Sequence, residues 1–226
     1  MKILGIMNSQ NNRLLVAFDM DGTLIDGRLV FAVADRLGLS DKVRGIQGNH
    51  NLHGYEQSRR IARLFKGLSA GEIIRGIESI RLMKNCERVV RELKEQGHVL
   101  GIISDSYDIA ASYIAEKLNL DFCESNTLEL DGNGNMTGNI NMPLGWQKIG
   151  CYCKISVCKR FFLEKNVQKF RIGSGATVAV GDTKSDLCMI EKAATGIAFM
   201  PKHKILEKRA DVSINEPDLG NLRQFI

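Results

Sequence analysis

The sequence predicts an α/β fold: a mostly parallel sheet between two helical layers, with a small helical module inserted after the first strand. From residue 86 onward, short apolar runs alternate with stretches of helical periodicity. Between residues 27 and 84 only helical patterns occur, with no strand to separate them. A third observation is where the apolar runs stop. They break off at Asp19 with Asp21, at Ser104 and at Asp182. The carboxyl ends of strands in an open parallel sheet share one edge, and ligands bind outside it. At 226 residues and 44% hydrophobic content, the chain has room for one sizeable core and an appended module.

The first strand is Leu14-Leu15-Val16-Ala17-Phe18, a continuous apolar run of the kind buried on both faces. Asp19-Met20-Asp21-Gly22-Thr23 follows, where Gly22 permits a sharp turn and Thr23 offers a hydroxyl. Residues 28–39 place Leu29, Val33 and Leu37 at helical spacing and end at Gly38. The polar, glycine-bearing stretch 40–51 reads as irregular. Helical patterns return over 55–65 and 69–80, the second opening on Ser69-Ala-Gly-Glu72, a capping-box form. Then come a helix over 86–95, a turn at Gly97, a strand over 98–103 ending at Ser104, a helix over 109–118 and a strand from Phe122. Asp131-Gly-Asn-Gly-Asn135 between alternating residues predicts a hairpin within 127–140. A helix over 157–166, a strand over 177–180 ending at Gly181-Asp182, a helix over 185–194 and short strands over 196–199 and 211–214 complete the pattern. The division expected is a core of 13–26 and 85–226 with a helical cap of 27–84.

Composition narrows the function classes. The net charge of +5 is spread along the chain, and the aromatics are 9 Phe, 4 Tyr and 1 Trp. A nucleic-acid surface is therefore not expected, while an anionic small substrate suits the charge. No apolar run approaches the roughly 18 residues that span a membrane. Residues 1–13 hold a single Lys and a short apolar stretch, too little for a signal peptide. A cytoplasmic protein, monomeric or homodimeric, is the expectation. Cys86, Cys123 and Cys188 stand alone and read as small hydrophobes. Cys151, Cys153 and Cys158 cluster, but their C-x-C-x4-C spacing is not a zinc pair and no His lies nearby, so they read as reduced thiols.

Two carboxylates at the end of a central strand repel unless a cation sits between them. Magnesium suits such a site, because it takes oxygen ligands from a few carboxylates and a substrate phosphate. Taken singly, each residue has a plain reading: Asp-x-Asp-Gly is a surface turn, Ser104 a turn residue, and a Lys is solvated. Lys159 and Lys154 compete for a charge-neutralising role. Lys159 heads an amphipathic helix and lies 23 residues before Asp182.

Taken in order, Phe18-Asp-Met-Asp-Gly-Thr-Leu24, a hydrophobic strand ending in Ser104, Lys159, and Val180-Gly-Asp-Thr-Lys-Ser-Asp186 resemble the four motifs of the haloacid dehalogenase superfamily. The resemblance spans about 14–214 and implies a Rossmann-like three-layer core. It also implies aspartate-nucleophile phosphatase chemistry on a small phosphorylated substrate with Mg2+. Asp19 would be the nucleophile and Asp21 the proton donor and acceptor. Ser104 and Lys159 would hold the phosphoryl oxygens, and Asp19, Asp21 and Asp182 the metal, with Thr23 and Asp186 behind them. Tyr55-Glu-Gln-Ser58, Met136-Thr-Gly138 and Lys208-Arg-Ala-Asp211 resemble the phosphoserine phosphatase branch more closely. On that resemblance Arg28, Glu56, Asp105 and Ser185 fall along the substrate. Arg28 stands where the branch has an ammonium-binding Glu, and Asp105-Ser106 replaces a glycine pair. The branch's carboxylate-binding Arg falls near Ile61 or Ala62, flanked by Arg60 and Arg63. An Arg at position 28 favours a substrate with a carboxylate or hydroxyls over one with an amine. Phosphoserine is the first reading of the substrate, a sugar phosphate or phosphorylated organic acid the second, and a non-catalytic phosphate sensor the third.

Overall fold

The computed structural model describes residues 13–226; the signal-peptide expectation falls, apart from Arg13, outside the described residues. β1 (Leu15–Phe18) is buried throughout, as its unbroken apolar run demands. Side chains alternate across a strand. Val16 and Phe18 accordingly join one apolar cluster with Val90, Leu100 and Ile114, while Leu15 and Ala17 join the other with Val99, Leu163 and Met189. β1 is the middle strand of a seven-stranded sheet ordered β4-β3-β2-β1-β5-β6-β7. The other strands are β2 (Val99–Tyr107), β3 (Phe122–Leu130), β4 (Met136–Asn141), β5 (Thr177–Gly181), β6 (Thr195–Phe199) and β7 (Val212–Ile214). Every pairing is parallel except β3 with β4, the hairpin.

Helices α5 (Cys86–Glu95) and α6 (Asp108–Lys117) cover one face of the sheet. The other carries α8 (Lys159–Phe170), α9 (Leu187–Ile190) and α10 (Lys204–Arg209), after a short α7 (Trp146–Ile149). Between β1 and α5 run α1 (Leu29–Arg36), α2 (Ser40–Gln47), α3 (Gly54–Leu64) and α4 (Ala70–Glu78). Their apolar faces (Leu29, Val33, Ile61, Phe65, Ile73, Ile77) join the cluster that also holds Val16 and Phe18. The Ser69–Glu72 capping box forms as expected: Glu72 N donates to Ser69 Oγ at 3.3 Å, and Ser69 N to Glu72 Oε2 at 2.8 Å.

Two expectations need correction. The stretch read as irregular contains α2, a helix whose one buried residue is Val43; Gly45 and the charged residues around it leave too thin an apolar stripe to signal a helix. β2 does not end at Ser104. It continues to Tyr107, and its pairing with β3 slips between Ile103 and Tyr107, where Ser106 and Tyr107 bury alongside the sheet.

The hairpin binds the inserted helices to the edge of the sheet. Asp131 Oδ1 accepts from the amides of Asn133 and Asn135, both at 2.9 Å, which closes its loop. Beside it, Gly67 N donates to Met136 O (2.8 Å), Met136 N to Leu68 O (2.7 Å) and Ala70 N to Gly134 O (3.2 Å). Across the sheet, Gly101 of β2 pairs with Phe122 of β3, whose ring lies 2.4 Å from where a Cβ on Gly101 would stand. A glycine inside a strand marks such close approach. Gly101→Ala is expected to cost about 1–3 kcal/mol of stability through overpacking. A denaturant midpoint equal to wild type would contradict this packing.

Candidate active site

The carboxyl ends of β1, β2 and β5 bring the polar residues together. Asp19 N donates to Val180 O at 2.9 Å, which continues the β1–β5 ladder to the carboxylate. Beyond it the chain folds tightly: the amides of Thr23, Leu24 and Ile25 converge on Met20 O at 3.3, 3.0 and 3.1 Å. Gly22 has φ +79°, and a Cβ on it would stand 2.2 Å from Asp182 Oδ2. Only glycine lets this turn lie against that carboxylate.

Lys159, the first residue of α8, has no exposed surface. Its Nζ lies 2.7 Å from Asp19 Oδ1 and 2.5 Å from Asp186 Oδ1. Burial by itself pulls the ammonium down, but Asp186 and Asp19 outweigh it and hold Lys159 above the usual lysine range. Burial pushes Asp19 well above the usual carboxylate range; Lys159 pulls it back, while Asp186 and Asp182 push it further up. The second oxygen of Asp186 accepts from the amides of Asp182 (3.1 Å) and Thr183 (2.8 Å) and fixes the loop after β5.

Asp19, Asp182 and Asp186 each offer an oxygen, all within 4.8 Å of one another. Oδ1 of Asp19 and Oδ1 of Asp182 are buried without a hydrogen bond; Lys159 is near the first but off the direction of one. Buried acceptors left open cost stability unless something fills them. An oxygen-only set with two open acceptors fits a hard divalent cation. Burial and Asp186 push Asp182 above its usual range, against Lys202. Lys202, on the loop after β6, places Nζ 2.5 Å from Asp182 Oδ2. Sequence reasoning missed it, because an exposed Lys after a strand carries no signal of its own.

The remaining expected residues divide. The Asp21 carboxylate stands outside the three-carboxylate cluster: its Oδ1 accepts from Leu29 N at 2.6 Å. Burial pushes it up to about 6, against the Leu29 hydrogen bond and Arg28. Ser104 is buried and its Oγ accepts from Ser106 N at 3.1 Å. The Thr23 hydroxyl is buried without a partner. Asp19, Asp21, Arg28, Ser58, Ile61 and Asp105 line an inner cavity of about 60 Å³. Arg28, Ser58, Ile61 and Asp105 also line a groove of about 740 Å³ that includes Ser185 and Lys202. A separate hollow of about 330 Å³, by Val89 and Leu222, has none of these carboxylates in its lining.

Glu56 does not reach the cavity. Its carboxylate accepts from His53 N at 2.8 Å and closes the first turn of α3, the local use that a Glu three residues into a helix favours. Arg60 and Arg63 are exposed, and it is Ile61 that lines the cavity. Ser58, missed as a separate position, lines it too and hydrogen-bonds Ser156 Oγ at 3.2 Å. The short Tyr55-Glu-Gln-Ser58 motif was its one available signal.

Residues 16–191 match the family model of haloacid dehalogenase-like hydrolases. The chain belongs to that family. A phosphoserine phosphatase of Methanocaldococcus jannaschii is 31% identical over 220 residues, 96% of this chain and 99% of that protein. One from Archaeoglobus fulgidus is 32% identical over 94% of this chain, which spans 59% of that longer protein. Among solved structures, a substrate-bound phosphoserine phosphatase superposes with a TM-score of 0.83 at 28% identity, covering 96% of this chain and all of that one. A phospho-aspartyl intermediate analogue of a phosphoserine phosphatase gives 0.81 at 29% identity, again over 96% of this chain and all of that one.

The exposed Lys154 sits on the loop before α8, apart from the contacts of Lys159. Lys159→Met leaves two buried carboxylates uncompensated, so hydrolytic turnover is expected to fall roughly 10²-fold or more and stability by about 3–5 kcal/mol. Lys154→Met is expected to change neither. Steady-state assays and melts of both variants check this; the reverse ranking would overturn the placement.

Proposed function

We propose that the chain is a magnesium-dependent phosphoserine phosphatase that works through an aspartyl-phosphate on Asp19. The observation that carries this reading is the buried Lys159 clamped between Asp19 and Asp186, next to a cavity that offers Arg28 and Asp105. A full-length relative and neighbours of the same name support it.

Asp19 attacks phosphorus as the bond to the serine oxygen breaks, and Asp21 protonates the leaving alkoxide. Water then attacks the aspartyl-phosphate and gives its proton to Asp21, releasing phosphate and restoring the Asp19 carboxylate. A carboxyl titrating near 6 suits both halves of that exchange. Lys159 and Ser104 hold the phosphoryl oxygens. Asp19 and Asp182, with Asp186 behind them, would hold magnesium, which would supply further positive charge against the phosphoryl group. Helices α1–α4 serve as the cap that limits the site to small substrates.

Phosphoserine also presents an ammonium and a carboxylate. An ammonium about 4 Å from Arg28 would be repelled by about 4 kcal/mol at an effective dielectric of 20. Asp105 lines the same cavity and offers the opposite charge. The two ends of the amino acid are therefore read with charges exchanged: Arg28 takes the carboxylate and Asp105 the ammonium. A phosphorylated organic acid is the second reading, favoured by Arg28 alone. Among the described residues no helix is long and apolar enough to cross a membrane; a cytoplasmic enzyme, monomeric or homodimeric, fits this reading.

Phosphate release with and without Mg2+ tests the chemistry. Asp19→Asn is expected to lower turnover by several orders of magnitude with the fold intact, since an amide is a poor nucleophile. Retained turnover would remove Asp19 from its role. Asp105→Asn is expected to lower kcat/KM for phosphoserine about tenfold to a hundredfold relative to phosphoglycolate, the loss of one charged hydrogen bond. An unchanged ratio, with wild type favouring phosphoglycolate, would shift the assignment to an organic acid.

A further inference from the structure

The structure brings a fourth cysteine to the three that cluster in sequence. Cys151 and Cys153 lie on the loop after α7, Cys158 immediately precedes α8, and Cys188 lies in α9. Their four Sγ atoms all stand within 4.8 Å of one another. Cys151, Cys158 and Cys188 are buried, Cys153 is half-buried, and all four are free thiols. Gly150 (φ +60°) and Lys154 (φ +47°) turn left-handed on either side of the first pair. Trp146, Ile149 and Phe161 pack against the cluster.

We propose that these four cysteines bind a structural zinc ion. Tetrahedral zinc holds four thiolates at about 2.3 Å, which places the sulfurs roughly 3.8 Å apart. The cluster needs little contraction to reach that spacing. Ordinary core packing does not explain it, because an apolar interior would be filled by branched side chains, while this one gathers four sulfurs from three segments. Sulfur-only donors select a thiophilic ion, whereas the oxygen-only set at Asp19 and Asp182 selects a hard one. The two centres therefore take different metals. Surrounding groups suit thiolates as well. The buried indole N–H of Trp146 has no partner and is a donor of the kind that supports a metal-bound sulfur.

The site has a positional consequence. Cys158 adjoins Lys159, and Cys188 lies two residues beyond Asp186, so the ion ties the starts of α8 and α9 together behind the Lys159–Asp186 pair. The cysteines act as positioning residues and touch no substrate.

Metal analysis of wild type, purified with reductant and without chelator, is expected to show about one zinc per chain. Asp182→Asn, which disables the oxygen site, should retain it, and Cys153→Ser should lose it. Should Cys153→Ser fail to fold, cobalt substitution of wild type reads the same site, through the charge-transfer and visible bands of a tetrahedral tetrathiolate. Stripping zinc should lower the melting temperature by several degrees and reduce kcat with little change in KM. The proposal is overturned if wild type takes up neither zinc nor cobalt stoichiometrically, if it carries iron instead, or if mass analysis finds the cysteines paired as disulfides.

Discussion

A lysine ammonium with no exposed surface, held between two carboxylates, is the constraint on which the rest of the structure depends. An unpaired charge in such a place is prohibitively unfavourable, so the fold has to deliver both partners. Asp19 arrives at the end of the middle strand, Asp186 arrives just before α9, and Lys159 arrives as the first residue of α8. The second oxygen of Asp186 then holds the amides of Asp182 and Thr183. The two ion pairs of Lys159 thereby tie the ends of β1 and β5 to two helices on the same face.

The charges around this pair do not balance by themselves. The carboxyl groups of Asp19, Asp21, Asp105, Asp182 and Asp186 outnumber the cations Arg28, Lys159 and Lys202. Burial and mutual repulsion raise Asp19, Asp21 and Asp182 above their usual range. Such a surplus stores a preference for incoming positive charge. The open oxygens of Asp19 and Asp182 show where that preference is directed.

The sheet and most helices were legible because burial on both faces forces continuous apolar runs, and amphipathic helices force a period. Cys86–Glu95 was read residue for residue. α2 escaped because burying one Val leaves no period to detect. Lys159 was legible through its place at the head of a helix and a spacing to Asp182 that resembles the family's. Lys202 and Cys188 were not, because their partners are distant in sequence and each residue type is common in its local setting. Glu56 misled for a related reason: a local capping contact and a substrate contact ask for the same carboxylate, and only the backbone decides between them.

The hairpin of β3 and β4 has a mechanical consequence. The inserted helices leave the core after β1 and return before α5, and their apolar faces pack into the core between those two connections. The backbone hydrogen bonds of Gly67, Met136 and Ala70 with the hairpin add a third anchor. A swing of the whole helical segment must first break those bonds, each worth about 0.5–1.5 kcal/mol net.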